Sequence, residues 1–195
     1  MREQKRAATR QRLLDEGLRL FGERGYDGVT SAEIATAAGV TERTFFRHFA
    51  TKADLVLANW HRHAAALEAA MAKQPVDARP IDVVRAGVVA FASHLARLVR
   101  DEPARSMLGY GSRLPVLTML EIVLALESSI AEELGRRLGR SSEDLAIRIV
   151  ANASIGVMRA CGRAYVQVDR RTSLPRIVSE HLDELSPLFN ALDHT

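Results

Sequence analysis

Cysteine is almost absent from this sequence. Cys161 is the only one, so an intrachain disulfide is excluded and a reducing compartment is compatible. The first residues, MREQKRAATRQRLL, lack the apolar core of a signal peptide. No uninterrupted apolar run reaches the length of a membrane span. A cytoplasmic protein without a membrane partner is therefore expected. Repeats and low-complexity segments are missing, and strand signals are scarce. Enzyme signatures are missing too: there is no nucleophile elbow, phosphate-binding glycine loop or pair of metal ligands. His61 and His63 stand two apart on a helical segment and so point to different faces. Cys161 has no ligand-spaced neighbour and reads as a small apolar residue. Neither a metal nor a cofactor is expected, nor an enzyme.

What is present is a globular composition. Of 195 residues, 47% are hydrophobic and 26% charged, enough for a real core in one ordinary domain or in a small one joined to a larger. The charge is uneven along the chain. Residues 1–52 hold 10 Lys and Arg against 7 Asp and Glu, and the other 143 hold 17 against 17. The whole excess of +3 sits in the first quarter, which suggests an anionic partner there and a neutral body beyond it.

Helical spacing recurs from end to end. Leu14, Leu18 and Phe21 share a face of a first helix, with Gly25 placed to end it. Thr30-Ser31-Ala32-Glu33 reads as a capping box opening a second helix, whose apolar face is Ile34, Ala35 and Ala38. Gly39 stops that helix, and Thr41 caps a third, with Phe45 and Phe49 facing inward. Thr51-Lys52-Ala53-Asp54 opens a long fourth helix carrying Leu57, Trp60, Ala64, Leu67 and Met71, and Pro75 and Pro80 bracket its end. Later stripes are Val84, Val88, Phe91, Leu95 and Leu98; then Leu120, Val123, Ile130, Leu134 and Leu138 up to a Gly139 stop. A helix from about Asp144 to Val168 follows, and a last one is lined by Val178, Leu182, Leu185, Phe189 and Leu192. The expected fold is all-α, with a helix-turn-helix domain over 1–51 and a larger helical bundle over 52–195.

The informative stretch is TSAEIATAAGVTERTFFRHFATK, Thr30 to Lys52. Its third helix buries Phe45 and Phe49 and leaves Thr41, Glu42, Arg43, Thr44 and Arg47 polar and short. A helix of this size enters the B-DNA major groove with its N-terminal residues against base edges. Thr30, Ser31 and Lys52 lie at helix N-termini, where free N–H groups favour a phosphate. Two capped helices around a glycine also make an ordinary hairpin, but here a preceding helix, both caps and the positive excess coincide.

Residues from about 10 to 57, above all LFGERGYDGVTSAEIATAAGVTERTFFRHFATKADLV, resemble the N-terminal domain of the TetR family of repressors. The resemblance implies a homodimeric regulator that binds a double-stranded operator and is released by a small-molecule inducer. Carried over by position, Thr41, Arg43 and Thr44 face base edges, and Glu42 lies beside them as a reader of a cytosine amino group or an outward capping carboxylate. Thr30, Ser31, Phe46, Arg47, His48 and Lys52 face the phosphate backbone. The family often has two tyrosines where this chain has Phe46-Arg47. Phe46 has no hydroxyl to donate to a phosphate, whereas Arg47 supplies a charged contact.

In the remaining residues the resemblance places dimerisation on the last two long helices. There Ala153, Gly156, Ala160 and Ala164 form a strip of small residues that admits a close helix, and Val178, Leu182, Leu185 and Phe189 line the next one. Either strip packs on a second copy or within the chain, since apolar character does not say whose helix is opposite. Trp60, Phe91, His94, Met107, Tyr110, Met119 and Asn152 are candidates for a ligand pocket, combining apolar bodies with polar handles or adaptable sulfur. His94 and Trp60 on apolar faces are more often core residues than ligand contacts, and Asn152, interrupting an apolar run, needs a buried partner. A DNA-binding protein without inducer and a helical enzyme or carrier are the alternatives.

Overall fold

A computed structural model describes residues 2–100, 116–167 and 173–192, apart from the side chains of residues 2, 62–63, 97–100, 116–117, 119 and 166–167. These residues are helical: α1 (Arg2–Arg24), α2 (Ser31–Ala37), α3 (Glu42–His48), α4 (Lys52–Ala72), α5 (Pro80–Arg100), α6 (Val116–Leu138), α7 (Leu145–Gln167), α8 (Leu174–Leu182), a 3₁₀ turn (Asp183–Leu185) and α9 (Ser186–Asn190). There is no strand among the described residues. They form two compact units, divided within α4 between His61 and Arg62, and the start of α6 up to Glu121 is grouped with the first unit.

The first unit, the head, closes around Leu13, Leu14, Leu20, Phe21, Val29, Ile34, Phe45, Phe49, Leu55 and Val56, all buried. The Phe21 and Tyr26 rings meet at 5.1 Å and those of Phe45 and Phe49 at 5.9 Å. The expected local signals are present. The Thr30 hydroxyl accepts from the Glu33 N–H while the Glu33 carboxylate accepts from the Thr30 N–H, and Thr51 and Asp54 exchange the same pair of bonds. Gly39 has φ +67°, a left-handed conformation that turns α2 into α3 and that a Cβ disfavours.

The second unit, the body, is built from Val83, Val84, Val88, Phe91, Ile122, Leu126, Ile130, Leu134, Ile147, Val150, Ile155, Val178, Leu182 and Phe189, all buried. Gly87 allows α4 and α5 to cross closely: a Cβ there would lie 2.6 Å from Met71 Cγ and 3.1 Å from the Leu67 carbonyl. Arg137 ties α6 to the end of α4 and the turn after it, donating to the carbonyls of Met71, Gln74 and Pro75.

Two expectations change. On α6 the inward face is Ile122, Leu126, Ile130 and Leu134, while Leu120 is exposed and Val123 only half-buried. The single last helix is broken in two. Pro187 has no N–H to donate, and the Ser186 N–H and hydroxyl both turn back to the Asp183 carbonyl in a tighter turn. α7 over Leu145–Tyr165 is the one described helix whose length and composition would allow it to cross a membrane. Core helices of folded domains meet the same test, and Ile147, Val150, Ala151, Ile155, Met158 and Cys161 on α7 are buried in the body.

Candidate nucleic-acid interface

α3 is short because both of its ends are fixed. The Thr41 hydroxyl accepts from the Thr44 N–H at 3.2 Å and lies 3.1 Å from the Thr44 hydroxyl. Phe49, in extended conformation, ends the helix, and Phe45 anchors it in the core at 0% exposure. The opposite side is open. Thr41, Glu42, Arg43, Phe46 and Arg47 are exposed and Thr44 is half-buried, so the residues expected at base edges share the free face. Phe46 is 51% exposed and meets Phe45 edge-on at 5.4 Å, an orientation set by packing.

The residues expected at phosphates are held in different ways. Thr30 is engaged by its capping box, donating its hydroxyl to Glu33 at 2.7 Å. Glu33 also receives Arg24 at 2.8 Å. These bonds, from the Thr30 hydroxyl first, then the Thr30 N–H and Arg24, hold the Glu33 carboxyl down to about 2. Ser31 is half-buried at the start of α2. Lys52 is committed inward: its ammonium donates to the carbonyls of Tyr26 at 2.7 Å and Val29 at 2.9 Å and lies 4.3 Å from the Tyr26 ring centre. It fastens the loop between α1 and α2. His48 is half-buried, and its Nε2 is buried without a hydrogen-bond partner. Burial, then the charges of Arg47, Arg6 and Arg10, push the imidazole below its usual value. Arg47 and Arg43 have no ion-pair partner among the described residues.

Sequence reasoning missed Arg10. Its guanidinium donates to the His48 carbonyl at 3.3 Å and sits 4.2 Å from the Phe49 ring centre, joining α1 to the end of α3. The available signal was a cluster of basic residues ahead of the first core leucine.

In the body, Phe91 is buried at 1% exposure and His94, one turn on, is half-buried with an interaction partner. Trp60 packs against the head's core. Asn152 is exposed on α7 and donates to Glu127 at 2.8 Å. Burial raises the Glu127 carboxyl, against the charges of Arg148 and Arg159. Met107 and Tyr110 lie outside the described residues, as does the Met119 side chain. A separate cavity of about 260 Å³ is lined by Val76 to Pro80, Leu134, Arg137 and Leu138, none of which was expected in a pocket. Of the small-residue strip, Gly156, Ala160 and Ala164 are exposed and Ala153 half-buried. Val178, Leu182 and Phe189 are buried in the chain's own core and Leu185 is half-buried.

A capped helix, a glycine turn and a second capped helix with an open polar face make the head a DNA-binding helix-turn-helix. Residues 13–58 match the family described as bacterial regulatory proteins, tetR family, and residues 78–190 match the MftR C-terminal domain. The latter match alone spans more than half of the sequence, and the chain belongs to the TetR family of transcriptional regulators. It is 38% identical over 101 residues to the HTH-type transcriptional regulator TcmR of Streptomyces glaucescens, covering 52% of this chain and 43% of that protein. The matched part thus spans less than half the length of TcmR. To the regulator MftR of Mycobacterium tuberculosis it is 25% identical over 154 residues, 78% of this chain and 77% of MftR. Thermus thermophilus FadR, a TetR family transcriptional repressor solved with lauroyl-CoA, shares the fold at a TM-score of 0.64 and 21% identity, over 90% of this chain and 92% of that one.

Proposed function

We propose that this regulator is a homodimeric repressor that leaves a palindromic operator when its body binds a small molecule. The observation that carries the reading is the open face of α3, where Thr41, Glu42, Arg43, Thr44 and Arg47 surround a helix start rigidified by its own cap. In this reading Thr41, Arg43 and Thr44 meet base edges, while Arg47 and the N–H groups at Thr30 and Ser31 meet phosphates. Lys52 and His48 act by holding the head together. The partner copy lies along Leu145, Ile149, Gly156, Ala160 and Ala164. Leu145 is 74% exposed and Ile149 47%, and, its chain neighbours and the adjacent turns of its own helix backbone apart, no described atom lies within 4 Å of a Cβ placed on Gly156. Two copies of α3 must then meet major grooves about 34 Å apart. A ligand lowers operator affinity if it binds better to a body arrangement that misses this spacing. α4, which begins at Lys52 in the head and continues into the body, transmits the change. The lauroyl-CoA held by the FadR structure supports a small-molecule site in the body.

The test is a mobility shift on the DNA upstream of the protein's own coding sequence, at about 50 and 200 mM salt. A discrete complex that survives the higher salt and outcompetes unrelated duplex supports the repressor. Equal binding to every duplex supports an architectural protein instead. Adding lauroyl-CoA to the complex tests that ligand class, and sedimentation equilibrium showing a monomer at micromolar protein would refute the dimer.

A further inference from the structure

The head's positive charge is unevenly neutralised. Arg19 is bound to both Glu16 and Glu23, and Arg24 to Glu33. Lys5, Arg6, Arg10 and Arg12 on the first turns of α1, and Arg43 and Arg47 on α3, have no ion-pair partner among the described residues. Residues 3–12 are exposed except for the half-buried Thr9, and the first core residue is Leu13. At a rise of 1.5 Å per residue, about 16 Å of helix precedes the core, and it buries little against the rest of the head.

This segment reaches the recognition helix. Arg10 binds the last carbonyl of α3 and stacks on Phe49. Arg6 lies four residues before it and so on the same side of α1. Arg47 stands next to His48 on the exposed side of α3. The fields of all three arginines reach the His48 imidazole, and Arg10 is fixed beside it by its bond to the His48 carbonyl. Like charges gathered on one face of the head repel one another, and a polyanion laid across them offsets that repulsion.

We infer that the first three turns of α1 belong to the DNA interface, with Arg6 and Arg10 joining Arg47 to grip the phosphates of the strand beside the groove that α3 enters. This inference rests on the reading of the head as a DNA-binding unit. It adds positioning contacts that carry no base readout, so it predicts lost affinity without lost sequence preference.

The test measures full-length protein against a mixed-sequence duplex of about 30 bp by fluorescence anisotropy, across about 50–200 mM salt. Arg6→Ala is expected to lower the slope of log affinity against log salt by about 1 and to weaken binding about tenfold. Arg6→Lys and Arg10→Lys should keep the slope, because the phosphate contact needs the charge. Arg19→Ala, removing a cation already paired with two carboxylates, should leave the slope alone. If Arg6→Ala keeps the wild-type slope while the wild type binds, the α1 contact is refuted and the helix-turn-helix reading stands. If the wild type binds no duplex at low salt, both are refuted.

Discussion

Among the described residues the body pairs most of its arginines internally, whereas the head leaves many of its own without an ion pair. In the body Arg79 pairs with Asp82, Arg85 with Asp183, Arg136 and Arg137 with Glu133, Arg140 with Asp144 and Arg176 with Glu180. Among the head's described residues only Arg19 and Arg24 are paired, and Lys52 is bound to carbonyls. Net charge alone would rank the head as mildly basic. Ion pairing sharpens this, because the unpaired cations gather on the face that carries α3 and along the start of α1. The body's internal pairs stabilise its own fold and leave an exposed face of α7 rich in small and apolar residues. In the proposed reading the two regions therefore take different partners, a polyanion for the head and a close-packed helix of a second copy for the body.

The sharpest way to separate them is to break one charge in each. Arg137→Ala should destabilise the body by about 3 kcal/mol, because the guanidinium is 8% exposed and serves Glu133 and three carbonyls. Thermal unfolding followed by circular dichroism measures the loss, and a midpoint within a degree of wild type would contradict it. Arg47→Ala should leave that midpoint alone and instead weaken binding to all duplexes about tenfold, with the salt slope reduced by about 1. A normal slope would remove Arg47 from the phosphate contacts.

The smallest effect concerns acid. Glu33 has its carboxyl lowered from 4.5 to about 2 in the folded head, so its contribution is complete above about 4.5 and is lost as pH falls towards 2. The wild-type head should lose stability over that window more than a Glu33→Gln variant, whose side chain does not titrate. Parallel acid titrations of the two would contradict the capping role.

The elements legible in the sequence are those held by residues within a few positions of each other. Thr30 and Glu33, Thr41 and Thr44, and Thr51 and Asp54 each close a helix start across three residues, and Gly39 supplies a turn that other residues resist. The alternation that buries Phe45 and Phe49 follows from helical period alone. Lys52 was legible as a residue at a helix start but not as a tether, since its carbonyl partners lie 26 and 23 positions earlier. The expected pocket was less legible, because a hydrophobic residue with a polar handle looks alike in a core and in a cavity. Phe91 is core, and Asn152 finds its partner in Glu127, 25 positions away.

By itself the sequence determined that this chain is helical, where the reading helix starts and stops, and that its first quarter carries the charge excess. All of these rest on backbone geometry, capping and composition, which act locally or add without regard to fold. Tertiary structure alone decided which cations remain free, that Arg10 reaches α3 across 38 residues, and that Val178, Leu182 and Phe189 turn inward while Gly156, Ala160 and Ala164 stay outside. Those outcomes depend on which helix packs opposite which, and a residue's own neighbours in the chain do not specify that.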